Sequence, residues 1–217
     1  MARSRTVESR SRGSAEGWLD AAYENLVDSG VHAVRVMPLA GRLGLSRTSF
    51  YWFYKDRQAL LSALIRGWRD KNTGNLIAQS QRYAESICEA ILNVFDCWLN
   101  TDLFDSRLEF AVRSWAQQSA AVAREIKAAD AARLEALQRM FIRFGYAAKP
   151  ADVRARTIYL TQIGYISMKT KEDLAPRMSR IGDYVEIFTG KPPLASELDR
   201  FFSRNHYVPG RSAKRMP

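Results

Sequence analysis

Apolar side chains recur three and four positions apart along most of the chain. Ala15, Trp18, Leu19, Ala22, Tyr23, Leu26 and Val27 set the pattern. That period closes on one face of a 3.6-residue helix and does not fit the two-residue repeat of a strand. Ser14 stands where a hydroxyl can cap the first turn, Glu16 places a carboxylate at its positive end, and Ser29-Gly30 stops the run. Leu39, Ala40 and Leu43 form a second, shorter stripe, followed at once by Gly44, the residue that turns a helix end through a positive φ most cheaply. Ser46 is then a second N-cap, and a third helix starts at Arg47. Folded at helical pitch, that segment sends Phe50, Phe53 and Tyr54 to one side and Arg47, Thr48, Tyr51 and Trp52 to the other. Asp56 falls in the first turn of a long helix striped by Leu60, Leu61, Leu64, Ile65 and Trp68, which weakens near Asn72-Thr73-Gly74-Asn75.

From Leu76 to Thr189 the chain reads as further helices with short joints. Ile87, Ile91, Leu92, Phe95, Trp98 and Leu99 form one stripe, and Leu103, Leu108, Phe110, Ala111 and Trp115 a second. A third helix, Val122 to Phe144, turns Leu134, Leu137, Met140, Phe141 and Phe144 inward and Arg124, Lys127, Arg133, Arg139 and Arg143 outward. Val153, Thr157, Leu160, Ile163, Gly164 and Ile166 mark a fourth. Leu174, Met178, Ile181, Val185 and Phe188 mark a fifth, closed by Gly190-Lys191-Pro192-Pro193. No segment of convincing length keeps a strand period. The expected fold is all-α: a basic arm over 1–13, a small helical domain over 14–68, a larger helical domain over 69–190, and a basic tail over 191–217 with a short helix near Leu198–Phe202.

Composition narrows the function. The 217 residues are 47% hydrophobic, enough for a sizeable core, and carry a net charge of +10 with a pI near 9.9. A basic balance suggests a polyanionic partner or serves solubility alone. The charge gathers at the ends, in Arg3, Arg5, Arg10 and Arg12 and in Arg200, Arg204, Arg211, Lys214 and Arg215. Cys88 and Cys97 lie nine residues apart on one predicted helix, about half a turn out of phase at ~100° per residue, so they cannot bridge each other. Buried free thiols, the lack of an apolar leader and the lack of a membrane-length apolar run give a cytoplasmic expectation. With two histidines, no glycine-rich phosphate loop and no H-E-x-x-H pattern, an enzyme is the weakest class. No catalytic residue, metal ligand or cofactor is assigned, and His32 is given no role.

The outward face after Ser46 is different. Two large rings, a guanidinium and a hydroxyl in water are costly unless a partner covers them, and a nucleic-acid groove suits that mixture. Arg47, Thr48 and Ser49 are expected at base edges, with Tyr51, Trp52 and Lys55 on phosphates. Ser46 and Arg35, at the entry of the second helix, complete the expected double-stranded-DNA face. Residues Trp18–Trp68 resemble the N-terminal DNA-binding region of TetR-type transcriptional regulators. The resemblance centres on LGLSRTSFYWFYKDRQALLSAL, which matches that family's small-residue turn, recognition helix, Tyr-Trp pair and following Lys. Tyr54 stands where the family often has Phe, and Pro38 lies in a first helical turn, where its missing N–H loses little.

The resemblance implies more than the residues alone. It implies a homodimer whose last two long helices pair with their two-fold mates, consistent with the small residues Gly164, Ser167 and Gly182. A dimer of this kind reads two half-sites of a palindromic operator about one helical turn, ~34 Å, apart. It also implies a small-molecule effector bound among the helices of the larger domain, with Phe95, Trp98, Phe110, Trp115, Phe141 and Tyr159 as candidate lining, although most such rings fill cores. The expected function is a repressor released from DNA by that effector. The alternative is a helical ligand- or partner-binding protein whose helix-turn-helix no longer reads DNA.

Overall fold

A computed structural model describes residues 13–209, and every regular element among them is helical. The expected arm over 1–13, save Gly13, and the last basic residues Arg211, Lys214 and Arg215 lie outside the described residues. The chain clusters into two compact units. One takes the chain through Asp70 together with Arg107–Lys127, and the other takes Lys71–Ser106 and the chain from Ala128 onward.

In the first unit α1 (Ala15–Ser29) starts as its sequence dictates: the Ser14 hydroxyl accepts the Gly17 N–H at 3.0 Å. Its buried face is Trp18, Ala21, Ala22 and Leu26. A 3-10 turn over Val31–Ala33 leads to α2 (Val36–Leu43), which ends at Gly44 with φ 64°. There the Leu45 N–H reaches back to the Ala40 carbonyl at 2.9 Å, closing the helix end. Next come α3 (Arg47–Phe50) and α4 (Arg57–Trp68), the latter capped by the Asp56 carboxylate on the Ala59 N–H at 2.8 Å. The Arg57 guanidinium donates to the Val31 and Val34 carbonyls and so ties α4 to the turn before α2. Helix α7 (Ser106–Ala116) contributes Glu109, fully buried, which accepts from the Trp68 indole at 2.7 Å and from Arg113 at 2.9 Å.

Helix α4 passes into a π-helical segment over Arg69–Gly74 and then α5 (Asn75–Gln81). The weak break read near Asn72 is this widened turn. In the second unit its amides have a use: Asn72 exchanges hydrogen bonds with the Asp105 backbone at 2.8 and 3.1 Å, and Asn75 donates to the Leu103 carbonyl at 2.8 Å. Helix α6 (Ile87–Leu99) is buried from Ile87 through Cys97 except for Glu89, the pattern of a central helix covered on all sides. Cys88 and Cys97 are both buried and free, and burial pushes the Cys97 thiol pKa up to about 12. Helix α8 (Ala120–Arg143) begins in the first unit and runs on into the second, followed by α9 (Ala148–Ser167), α10 (Leu174–Ser179), α11 (Ile181–Thr189) and α12 (Ala195–Arg204).

Several expectations are corrected here. Arg133, read as outward, is fully buried: it donates to Thr73 Oγ1 at 2.9 Å and Tyr159 Oη at 3.0 Å, and lies over the Phe104 ring. It occupies the inward stripe Ile126, Ala129, Arg133, Leu137, Met140, so helical phase placed it inside and polar partners made that tolerable. On α9 the buried face is Ala155, Ile158, Tyr159, Gln162 and Ile166, whereas Val153, Thr157 and Leu160 are exposed. The single fifth helix is two, broken at Arg180, and Leu174 is exposed. The short C-terminal helix is the longer α12, and its arginines are not a free tail. Arg200 pairs with Glu89 at 3.0 Å and Arg204 with Asp96 at 2.8 Å, while Phe201 is fully buried.

Candidate nucleic-acid interface

The local chemistry of Gly44–Asp56 decides which side chains face out. The Ser46 hydroxyl accepts the Ser49 N–H at 3.2 Å and stands 2.9 Å from the Ser49 hydroxyl. Ser49 is therefore turned inward, 4% exposed, and the expectation that it meets a base edge is corrected: its hydroxyl closes the cap. Phe50, fully buried, is the anchor. Its ring meets Trp18 edge-on at 5.3 Å, Tyr51 edge-on at 5.3 Å, and stacks on Tyr54 at 5.6 Å. Tyr54 donates its phenol to the Ala15 carbonyl at 3.0 Å, and burial first, then the Glu16 carboxylate, raises its pKa, so it stays a neutral donor.

With Phe50 and Tyr54 holding the segment, the rest turns to solvent. Arg47, Thr48 and Lys55 are exposed, Tyr51 is 47% exposed and Trp52 is 63% exposed. Arg47 donates to the Tyr51 hydroxyl at 3.2 Å, with its guanidinium 5.8 Å from the ring centre. The two side chains are thus one pre-arranged cationic and aromatic edge. Arg35 is exposed at the N-cap position of α2. Phe53, expected inside, is exposed as well, because α3 spans only four residues and the chain turns over 51–53 instead of continuing the helix. The run Ser49-Phe50-Tyr51-Trp52-Phe53-Tyr54 held that signal: consecutive rings on so short a helix cannot all reach one core. Met37, 64% exposed on α2, is a further apolar group the helical period did not single out.

The candidate effector rings do not share one place. Phe95 and Trp98 line a cleft of the second unit with Tyr165, Arg177, Tyr184 and Phe188, around a cavity of about 50 Å³. Tyr165 and Tyr184 join hydroxyls at 2.7 Å, and the buried Trp98 Nε1 has no hydrogen-bond partner among the described residues. Burial is the main cause lowering the Arg177 pKa. Trp115 lines a different cleft, in the first unit. Phe141 packs edge-on against Tyr146, and Tyr159 bonds to Arg133 and to Asp130 at 2.6 Å; Phe110 lines neither cleft. Among the described residues no helix is long and apolar enough to cross a membrane, and no group of three or more His, Cys, Asp or Glu is placed to hold a metal ion.

Two helices meeting at a left-handed glycine, with an exposed cationic-aromatic edge just beyond, define a helix-turn-helix DNA-binding protein, here continued by a helical second unit. Residues 19–64 match the profile described as bacterial regulatory proteins, tetR family. Solved structures share the fold over nearly the whole chain. SmeT, described as the repressor of the Stenotrophomonas maltophilia multidrug efflux pump SmeDEF, is 18% identical, with a TM-score of 0.55 over 96% of this chain and 100% of that one. A transcriptional regulator from Rhodococcus sp. Rha1 is 16% identical, with a TM-score of 0.54 over 91% of this chain and 100% of its own. AmtR from Mycobacterium smegmatis is 14% identical, with a TM-score of 0.52 over 91% and 96%. A search of curated proteins returns no match. Residues 19–64 are thus a tetR-type helix-turn-helix DNA-binding region of a transcriptional regulator, and the chain as a whole shares the fold of the solved regulators.

Proposed function

We propose that the protein is a homodimeric repressor that binds a palindromic operator and is released by a small-molecule effector. The observation that carries this reading is the outward edge of Arg47, Tyr51 and Trp52, held in place by buried Phe50. In it Arg47 and Thr48 read base edges, while Tyr51, Trp52 and Lys55 hold the phosphate backbone, with Arg35 and Ser46 flanking. The residues through 68 act as the DNA-reading part and those beyond as the effector and dimer part. The dimer reading draws on Val153, Thr157 and Leu160 of α9 and Ile187 of α11, apolar or small groups left in water on those two helices. The effector reading draws on the aromatic cleft, whose unpaired Trp98 N–H and Arg177 suit a ligand that carries an acceptor on an apolar body.

A gel shift with fragments selected from random duplex by the purified protein, repeated across a salt series, tests the proposal. Selected fragments should be palindromic, and affinity should fall steeply as salt rises, since phosphate contacts release counterions. Trp52→Ala and Tyr51→Ala should weaken binding across all sequences, whereas Arg47→Ala should relax preference at particular positions. Affinity indifferent to salt and to Trp52→Ala would favour a helical ligand-binding protein that does not read DNA.

A further inference from the structure

A hollow of the first unit shares no residue with the exposed Arg47, Tyr51 and Trp52 edge. It has a volume of about 480 Å³, within the range that holds small organic ligands. Leu61 and Ile65 of α4, Trp115 of α7 and Val122 of α8 form its floor, and all four are buried. Its rim is cationic. Arg57, Arg66 and Arg69 of α4 and His32 line it, against Glu125 as the sole carboxylate of its lining. Arg69 pairs with Glu125 at 3.6 Å and with Asp70, which lies outside the lining, at 3.6 Å, whereas Arg66 is exposed, with no ion pair among the described residues. An adjoining hollow shares His32 and Arg57 and adds Arg35. Ser119, Ala121 and Val122, at the start of the 24-residue α8, line it as well, so the positive end of a long helix borders the same space. His32 Nε2 and Gln118 Oε1 meet at 2.6 Å across this lining.

An apolar floor, a guanidinium rim and a helix N-terminus are complementary to one kind of molecule. We propose that this cleft binds an amphipathic organic anion, an aromatic or acyl body bearing a carboxylate, sulfonate or phosphate. The body covers Leu61, Ile65, Trp115 and Val122, and the anionic head takes charge-assisted hydrogen bonds from Arg66 and Arg69. The site is separate from the aromatic cleft of the second unit and shares no residue with it.

The test uses the full chain and two fluorescent probes of matched shape, the anionic 8-anilinonaphthalene-1-sulfonate and the uncharged N-phenyl-1-naphthylamine. The sulfonate should bind with roughly tenfold or greater preference over the neutral probe, the value of a charge-assisted hydrogen bond or more. The double variant Arg66→Gln, Arg69→Gln should erase that preference while leaving the neutral probe's affinity and the far-UV circular dichroism in place. Arg66→Lys with Arg69→Lys should restore part of it, and Arg139→Gln, an exposed α8 arginine that lines neither cleft, should leave sulfonate binding intact. Equal affinity for the two probes, sulfonate binding unaltered by the double Gln variant, or sulfonate binding abolished by Arg139→Gln would each overturn the proposal. Displacement of the sulfonate by random-sequence duplex would overturn it as well, because the cations would then serve phosphates of the DNA backbone.

Discussion

Arg133 and Cys97 show how single side chains are set by burial. The Arg133 guanidinium sits fully buried with Thr73, Tyr159 and the Phe104 ring around it, and Tyr159 passes the network on to Asp130. Removing it leaves the Thr73 and Tyr159 hydroxyls without the hydrogen bonds it donates. Arg133→Ala should therefore cost about 3–5 kcal/mol in urea unfolding, against little for Arg139→Ala on the exposed face. Cys97 holds its proton more tightly folded than unfolded, its pKa rising from 9.0 to about 12 through burial first and the Asp96 charge second. The stability this confers is complete below the unfolded value and is lost as pH climbs from about 9 to about 12. In that window Cys97→Ala should flatten the fall of unfolding free energy with pH by up to about 1.4 kcal/mol per unit relative to the parent chain.

At the scale of elements, the C-terminal helix α12 carries the clearest lesson. Its arginines look like polyanion contacts in sequence, yet Arg200 and Arg204 are spent on Glu89 and Asp96 of α6. Glu89 itself has a lowered pKa, first through the Glu85 backbone N–H and then through Arg200. Glu197 is buried, accepting from Ser86, the N-cap of α6, and from the Leu194 N–H at 2.7 Å. Phe201→Ala should destabilise the protein by about 3–5 kcal/mol, because a fully buried ring leaves a cavity, and equilibrium unfolding would read it. By contrast, Arg204→Ala should leave the salt dependence of DNA binding unchanged, since its charge is already neutralised at short range.

For the whole molecule, the exposed stripe of α9 and α11 sets the prediction. Leu160 and Ile187 are 60% and 68% exposed, although each is next in sequence to a buried ring, Tyr159 and Phe188. In the proposed dimer they are covered. Leu160→Glu combined with Ile187→Glu should convert a dimer into a monomer in size-exclusion chromatography with light scattering. It should weaken binding to a two-half-site duplex by well over tenfold, since each buried aliphatic side chain contributes about 2 kcal/mol. The thermal midpoint of the monomeric fold should change little, because neither side chain lies in the core. A variant still dimeric would place the two-fold contact on another surface.

The helical period, the caps and the left-handed turn were legible in the chain itself. Ser14, Gly44, Ser46 and the apolar stripes act through neighbours a few residues away, so local chemistry suffices to read them. The exposed Arg47, Tyr51 and Trp52 were legible for the same reason, since the short helix after Ser46 has room to bury one ring, Phe50, and not its neighbours. Which of two apolar faces on α9 goes inward was not, because that depends on what packs against it, and both faces satisfy one periodicity. Nor could sequence say that Ser49 would close a cap, that Arg133 would find Thr73 and Tyr159, or that Arg204 would meet Asp96. Those partners lie across the folded chain, and a charged group's burial depends on whether a partner far along the sequence arrives to receive its hydrogen bonds. The clefts belong to the same category: Trp98 and Trp115 read alike in sequence, and only tertiary packing sent one to an aromatic slot and the other beneath a ring of arginines.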